Sequence, residues 1–226
     1  MTVLRTGQTS DPAADMRLTR SLLEAVAARR TGPTARVFRP GPTAAFGRLD
    51  VLRPGFERAA ALARARGYTP LTRHAGGHAA VYDPGCVIVE LLRPEETAIG
   101  GLEARFRALA DLIVAALDEL GVALELGELP GEFCPGRFSL HLPSGGPKVV
   151  GIAQRVIRGG SLTTAVVSVA ASGVLSSLVA EIYAALELAL DPRTIGAIAG
   201  RHPEITPEQV ADAIAERIPL ELNRAR

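Results

Sequence analysis

The sequence has one lysine, two cysteines and a net charge of only +1. The few cysteines and the small net charge each exclude classes of protein. The 226 residues carry 25 basic and 24 acidic side chains, whereas nucleic-acid binders and polybasic membrane binders need a concentrated positive surface. Cys86 and Cys134 are too few for a disulfide framework or a zinc cage. No apolar run reaches the roughly 18 residues of a membrane helix, and the N-terminal stretch lacks the apolar centre of a secretory signal. We therefore expect a cytoplasmic protein with no metal site, no membrane contact and no nucleic-acid partner.

The composition and the apolar patterns predict a mixed α+β domain. Hydrophobic residues make up 47% of the chain and charged residues 22%, which is enough to bury a core. Helical periodicity alternates with short apolar strands and Gly/Pro turns, which favours a mainly antiparallel sheet with flanking helices. We expect a single domain over residues 1–226, with a core at about 15–190 and a small helical tail at about 191–226. Residues 1–12 are expected to be frayed, and residues 193–199 to be a helix.

The one lysine, Lys148, is the first candidate site residue. Because it is the only lysine among 25 basic residues, the other 24 are arginine. An ammonium is a compact charge with three donors, whereas a guanidinium is a wide planar fork, so a tight oxyanion or phosphate contact distinguishes them. Lys148 therefore marks a position where arginine would not serve, and chance survival of one surface lysine is the alternative.

Residues 73–82 (RHAGGHAAVY) contain a double glycine between two predicted strands. Gly76 and Gly77 can adopt positive φ and let the backbone approach a ligand closely. Their amides would face an anion, with Arg73 and His78 on either side of it. An ordinary glycine turn beside a surface histidine is the alternative.

Residues 148–154 (KVVGIAQ) read as a strand with a charged and an amide end. Alternate side chains share one face of a strand, which groups Lys148, Val150, Ile152 and Gln154. That face suits a long apolar ligand with one charged or carbonyl end. Gly151 leaves room on the opposite face for a ligand or another backbone. A core strand with polar ends is the alternative.

Residues 131–137 (GEFCPGR) place Cys134 in a Gly/Pro-rich loop that would expose its thiol. A nucleophilic cysteine needs a nearby cation, and Lys148 follows a short hairpin away. A small apolar cysteine packed beneath the loop is the alternative. Cys86, which opens an apolar strand, is expected to belong to the core.

Taken in order, these segments resemble the biotin/lipoate protein ligase superfamily, which includes lipoate–protein ligases and octanoyltransferases. Residues 38–48 (FRPGPTAAFGR) resemble its early segment ending in Ile/Phe-Gly-Arg. Residues 73–82 resemble its Arg-Arg-x-x-Gly-Gly loop, and residues 148–154 resemble its Lys-(Ile/Val)-(Ser/Val/Ala)-Gly-(Ser/Ile)-Ala-Gln segment. The resemblance covers about residues 15–190 and implies a class II synthetase-like catalytic domain with a main antiparallel sheet.

The resemblance also implies an activity and roles for individual residues. A lipoate–protein ligase activates lipoate or octanoate with ATP and Mg²⁺ and passes the acyl group to a lysine of a carrier domain. The implied carrier is a lipoyl domain of a 2-oxoacid dehydrogenase or a glycine cleavage H-type protein. Lys148 would bind the acyl carbonyl or the adenylate phosphoryl oxygens. The other implied substrate-binding residues are Arg73, Gly76, Gly77, Val150, Ile152 and Gln154.

Two alternatives stay open beside the ligase. An octanoyltransferase of the superfamily moves octanoyl from an acyl carrier protein through a cysteine thioester, and Cys134 lies 14 residues before Lys148, close to that cysteine's position. The sequence also departs from many ligases, with Tyr82 in place of a histidine and Phe-Ser at 138–139 in place of Asn-Asp. The second alternative is a non-catalytic acyl- or nucleotide-binding relative.

Overall fold

Five α-helices and ten β-strands make up the described part of the chain. The computed structural model describes residues 1–95, 101–170 and 173–224, with side chains as far as residue 219. The helices are α1 (Pro12–Ala27), α2 (Phe56–Ala65), α3 (Leu102–Asp118), α4 (Gly173–Ala185) and α5 (Pro207–Arg224). The strands are β1 (Thr2–Gln8), β2 (Thr34–Arg39), β3 (Thr43–Phe46), β4 (Thr69–Thr72), β5 (Ala80–Tyr82), β6 (Cys86–Pro94), β7 (Glu125–Leu126), β8 (Leu140–His141), β9 (Lys148–Ile157) and β10 (Gly160–Ser168).

The strands form one large sheet and one small sheet. The large sheet has the order β1-β2-β6-β10-β9-β8-β7, and every neighbouring pair except β1–β2 is antiparallel. The small sheet has the order β4-β3-β5, with β3 parallel to β4 and antiparallel to β5. The predicted mixed fold with a mainly antiparallel sheet and flanking helices is therefore confirmed.

The two faces of the large sheet have different coverings. Alternate residues of β6, including Val87 and Val89, belong to the main core shared with α3 and α5. On the opposite face, Leu92 and Leu162 pack with Val26 of α1. Residues from β5 and from β10 line a common cavity on that second face, so the space between the two sheets is where a ligand would enter.

A buried ion cluster, which the sequence pattern did not indicate, attaches α1 to the large sheet. The Arg36 guanidinium is 3.1 Å from a carboxylate oxygen of Asp15 and 3.1 Å from one of Glu90. The Thr19 hydroxyl donates to the Glu90 carboxylate at 2.7 Å. Burial raises the pKa of Glu90, and the neighbouring Arg36 charge opposes that rise.

The N-terminal segment that we expected to be frayed is an edge strand. β1 runs parallel to β2, with Thr2 opposite Thr34 and Arg5 opposite Val37. Most of its side chains are exposed, so the alternating burial that reveals a strand in a sequence is weak here. Backbone hydrogen bonds to β2 hold the segment in place, and those bonds leave no trace in the residue pattern.

The predicted helix over residues 193–199 is wrong. The structure has two short 3₁₀ helices instead, Pro192–Thr194 and Ile198–Gly200. Gly196 lies between them and against Pro147, where a Cβ would be 2.3 Å from the proline Cγ. The Gly196 N–H donates to the Lys148 carbonyl at 3.2 Å, so this extended stretch is fastened to the start of β9.

The segment expected to be a small helical tail is part of the main core. Val210, Ala211, Ile214 and Ile218 of α5 are fully buried there, and α5 packs against α3. Residues 225–226 of the predicted tail lie outside the described residues. Across the described ranges, no helix combines the length and the apolar character needed to cross a bilayer.

Candidate active site

Lys148 is buried at the beginning of β9 and is fully engaged in hydrogen bonds. Its side chain is only 1% exposed. The ammonium donates to Glu132 Oε1 at 3.0 Å, to the Phe133 carbonyl at 2.9 Å and to the Cys134 carbonyl at 3.0 Å. Because an ammonium has three N–H donors, these three acceptors satisfy it. Lys148 therefore holds the loop that carries Cys134.

Glu132 is the counter-ion of Lys148, and the sequence analysis missed it. Its buried carboxylate also accepts hydrogen bonds from the Leu129 N–H at 3.1 Å, the Gly136 N–H at 3.1 Å and the Ser139 hydroxyl at 2.5 Å. Burial lowers the pKa of Lys148, and the Glu132 charge opposes that change. A buried lysine needs an acidic partner. Glu132, in the loop just before β9, was the residue in the sequence that could have indicated this pair.

Cys134 is held in a backbone conformation that few side chains adopt. Its φ is +43°, in the left-handed region. Its N–H donates to the Tyr183 hydroxyl at 2.7 Å, and that hydroxyl donates to the Ala79 carbonyl at 3.0 Å. Burial raises the pKa of Tyr183, so the hydroxyl keeps its proton and the chain of bonds stays intact. Strained nucleophile loops persist only where such contacts fix them.

The glycine loop brings a cation to the Cys134 sulfur. Arg73 follows β4, and its Nη2 donates to Cys134 Sγ at 3.2 Å and to the His78 carbonyl at 2.6 Å. Gly77 lies between these groups with φ at +96°. The Gly76 N–H donates to the Gln154 carbonyl at 3.2 Å, which fastens the loop to β9. The Arg73 guanidinium thus lies within hydrogen-bond distance of the sulfur.

We expect Gly77→Ala to reduce turnover at this candidate site about 10²-fold, because misplacing reacting groups by an ångström typically costs that much. A Cβ on Gly77 would be 2.5 Å from Cys134 Sγ and 2.5 Å from Arg73 Nη2, in a backbone conformation that disfavours alanine. Gly76→Ala is the matched comparison, since the nearest atom to its Cβ would be 3.9 Å away, and we expect a far smaller loss. Equal turnover of the two variants would contradict this placement.

The side chain of His78 is held by Asp50, a second residue that the sequence analysis missed. His78 Nδ1 is 2.8 Å from Asp50 Oδ1, and the Asp50 side chain is fully buried. Asp50 Oδ2 also accepts the Gly47 N–H at 2.8 Å. His78 thus fixes the end of the glycine loop and presents its carbonyl to Arg73. Asp50 begins a short 3₁₀ helix, Asp50–Leu52, and no periodic sequence pattern predicts that a single acid at such a position is buried.

A largely enclosed, mainly apolar cavity lies beside Cys134, Lys148 and Arg73. The side chains of its apolar wall come from both sheets, α4 and two loops: Ala80, Val81, Phe133, Val149, Ile152, Ala153, Val166, Leu175 and Ile195. Arg73, Thr164 and Val166 also line a second cavity, which extends towards α1. Cys134 therefore stands at the end of a space suited to an apolar chain.

The predicted grouping of alternate β9 residues on one wall differs from the structure. Ile152 lines the cavity, but Val150 is fully buried in the main core and is not among the cavity residues. The Lys148 side chain turns over Gly151, with its Cε 3.5 Å from where a Cβ on Gly151 would be. Gly151 itself lines the cavity, so the room that we expected it to leave for a ligand lies on the cavity face, with Lys148 at its border. The register shift between β8 and β9 at Leu140/His141 accompanies this departure from simple alternation.

Gln154 connects the site to the start of α3. Its Oε1 accepts from Arg105 Nε at 2.9 Å, and its Nε2 donates to the Leu102 carbonyl at 3.1 Å. It lines the open depression beside Cys134, together with Gly76 and Gly77. Its position at the edge of the site matches its predicted place, but its side chain is committed to α3.

The two cysteines are expected to react differently with iodoacetamide in the native protein. Cys134 is half-buried, whereas Cys86 is fully buried and burial raises the pKa of its thiol to about 12. Because the thiolate is the reactive form, peptide mapping should find the label on Cys134 alone until the protein is unfolded. Cys86→Ala should keep the labelling and Cys134→Ala should remove it; native labelling of Cys86 would refute the prediction.

The structure thus brings Arg73, Gly77, His78, Cys134 and Lys148 together in one site. Gly76, Ile152 and Gln154 border it, and Val150 lies in the core behind it. In the ranges that the structure describes, no three His, Cys, Asp or Glu side chains are grouped to hold a metal ion.

The fold of this chain is that of a known class of catalytic domains. A large, mainly antiparallel sheet with flanking helices is shared with the catalytic domains of lipoate and biotin protein ligases. The family model of the lipoyl protein ligase A/B catalytic domain matches residues 11–218, and the chain belongs to this family.

Individual relatives specify the resemblance further. The chain is 34% identical over 140 residues to an octanoyl-[GcvH]:protein N-octanoyltransferase of Geobacillus kaustophilus, covering 62% of this chain and 49% of the relative. It is 33% identical over 153 residues to the enzyme of the same description from Anoxybacillus flavithermus, covering 68% and 54%. The chain spans about half the length of these curated relatives. A solved structure of lipoate-protein ligase A bound with ATP has a TM-score of 0.68 and 18% identity, over 98% of this chain and 85% of that one.

Proposed function

We propose that this chain is an acyltransferase that moves an octanoyl group between proteins through a thioester on Cys134. The observation that carries the proposal is the placement of the Cys134 sulfur. It lies 3.2 Å from the Arg73 guanidinium and beside an enclosed apolar cavity. A cation beside a partly exposed thiol favours the nucleophilic thiolate. The similarity to N-octanoyltransferases supports the same reaction.

The proposed reaction has two acyl-transfer steps. The Cys134 thiolate attacks the carbonyl carbon of the octanoyl amide on the donor protein, the C–N bond breaks, and the donor amine takes up a proton from water as it leaves. The neutral amine of an acceptor lysine then attacks the thioester, the C–S bond breaks, and the thiolate is regenerated as the amine loses a proton. Each step builds negative charge on the carbonyl oxygen, and Arg73, 3.2 Å from the sulfur, would stabilise it.

The apolar cavity would hold the acyl chain while these steps occur. Burying a methylene contributes roughly 0.8 kcal/mol, so seven methylene-sized units contribute about 5–6 kcal/mol. Acetate has one such unit, so the difference of about 5 kcal/mol is large enough to select an eight-carbon chain over acetate. Ile152 and Val166 would contact the chain, and Val150 would act only through packing behind the wall.

In this proposal Lys148 positions the nucleophile and does not bind a phosphate. Its three N–H donors are already satisfied by Glu132 and by the carbonyls of Phe133 and Cys134. The sequence-based expectation of an ATP- and Mg²⁺-dependent ligase needed a free ammonium at an adenylate. The occupied donors and the transferase relatives both favour the cysteine route, which was the alternative.

The proposed partners follow from the same relatives. Octanoyl-loaded glycine cleavage H protein (GcvH) would be the donor, as the relatives' description names it. A lipoyl domain of a 2-oxoacid dehydrogenase would be the acceptor, and octanoyl-acyl carrier protein is the alternative donor. We also propose that residues 1–226 act as a single catalytic domain, because α5 is built into the main core.

Intact-protein mass spectrometry tests this proposal. Incubation with octanoyl-GcvH in the absence of ATP should add one octanoyl group, mapped to Cys134 and released by an acceptor lipoyl domain. Octanoate-dependent ATP–pyrophosphate exchange should be at background. Exchange activity without an acylated cysteine would overturn the proposal in favour of the ligase.

A further inference from the structure

An open groove beside the active site is lined by four arginines among eleven residues. Arg20 of α1, Arg48 after β3, Arg73 after β4 and Arg155 of β9 line it together with His74. We call this surface the arginine groove. Glu24 is the one acidic residue among those that line it. Since the whole chain carries 25 basic and 24 acidic residues, this excess is a local concentration of charge and does not follow from composition.

Two of these guanidinium groups have no partner among the described residues. Arg20 forms an ion pair with Glu24 at 2.8 Å, and Arg73 is engaged at the active site. The side chains of Arg48 and Arg155 make no hydrogen bond or ion pair with another residue in the described part of the chain. The pKa of His74 is lowered chiefly by burial; the charges of Arg20 and Arg155 lower it further, and the charge of Glu24 opposes them.

The arginine groove is continuous with the surface at Cys134. Arg48, His74 and Arg155 also line the next depression, together with Gly76, Gly77 and Gln154. Those last three residues in turn line the depression that contains Cys134. A partner seated on the arginines would therefore reach the nucleophile across the glycine loop.

We propose that the arginine groove docks an acidic face of GcvH, the octanoyl donor, an inference that rests on the proposed function. A guanidinium matches a carboxylate through paired hydrogen bonds, and unpaired arginines at the edge of a site accelerate the encounter with an acidic partner. A protein partner fits better than a small anion because the cationic surface is extended and leads to the cysteine. An acyl-lysine has to be delivered to that cysteine by its carrier.

Charge reversal separates docking from chemistry. In the double variant Arg48→Glu/Arg155→Glu, we compare transfer from octanoyl-GcvH with acylation of Cys134 by the small donor octanoyl-N-acetylcysteamine. The ratio of kcat/KM for the carrier to that for the small donor should fall roughly tenfold or more, mainly through a higher KM. KM for the carrier should rise with NaCl in the unsubstituted protein and be much less salt-dependent in the variant. The control Arg58→Glu/Arg64→Glu reverses two exposed arginines of α2, which line none of these cavities, and should leave the ratio unchanged.

A direct binding titration keeps this inference independent of catalysis. Unloaded GcvH should bind the double variant at least about tenfold more weakly than the unsubstituted protein at low salt. Equal affinity, or an equal loss in the α2 control, would overturn the docking surface. Competition by millimolar inorganic phosphate at constant ionic strength would assign the groove to a phosphate-bearing ligand instead. If neither donor acylates Cys134, the proposed function is refuted. The titration still decides whether GcvH docks in the arginine groove.

Discussion

Cys134→Ser should lower octanoyl transfer at least about 10³-fold and abolish the acyl-enzyme, because a hydroxyl beside Arg73 is a far weaker nucleophile than a thiolate. The size of the effect follows from the proposed route, in which both chemical steps pass through the sulfur. The measurement is single-turnover transfer from octanoyl-GcvH, followed by intact-mass analysis. Serine is close to cysteine in size, so the loop contacts of Glu132 and Lys148 should persist.

Cys86→Ser is the matched control for the chemistry of sulfur in this chain. Cys86 is fully buried at the start of β6, and no transfer step involves it. Its substitution should lower stability through burial of a hydroxyl but leave the acyl-enzyme detectable. If Cys134→Ser transferred octanoyl within a few-fold of the unsubstituted rate, the thioester route would be excluded.

Lys148→Arg should cause the second largest loss, although it keeps the charge. The ammonium is 1% exposed and meets one carboxylate and two carbonyls within 3.0 Å, in a space that Gly151 leaves open. A wider planar guanidinium has to displace the Cys134 loop, and overpacking of this kind typically costs about 1–3 kcal/mol of stability. We expect turnover to fall about 10²-fold, measured together with the urea midpoint of unfolding.

The control for Lys148→Arg is the opposite substitution, arginine to lysine, at an exposed position. Arg64→Lys on α2 swaps the same two residue types at an exposed position and should change neither turnover nor stability measurably. Glu132→Gln tests the other half of the buried pair, since it keeps the shape but removes the charge opposite Lys148. Full activity of Lys148→Arg would show that the loop does not depend on the ammonium.

The rarity of lysine singled out Lys148, and the structure shows that its position is unusual for its burial. In a chain with 24 arginines, the only lysine proved to be among the most buried side chains, against the only loop that holds a half-buried cysteine. The reason is geometric, because three acceptors converge on one point and only a compact cation fits there. The sequence analysis placed Lys148 at a ligand, whereas its partners are the chain's own Glu132 and two carbonyls.

The residues that sequence reasoning missed are those whose role depends on contacts across long separations. Asp50 binds His78 from a different segment, and Tyr183 of α4 supports Cys134 from 49 residues away. Glu132 was within a segment already singled out, but an acid in a loop is indistinguishable from a solvated one until its burial is known. The edge strand β1 was missed for a related reason, since its bonds are made by the backbone.

The sequence by itself determined the mixed fold, the antiparallel sheet, the glycine loop, the candidate cysteine and the unusual lysine, because local periodicity, turn chemistry and composition encode these features directly. Only the tertiary structure decided which of them meet. It placed Arg73 at the Cys134 sulfur, turned Lys148 inward to the loop and sent Val150 into the core. Distances between segments far apart in the chain depend on how the two sheets pack. Side-chain packing at a register shift cannot be predicted from a local sequence pattern.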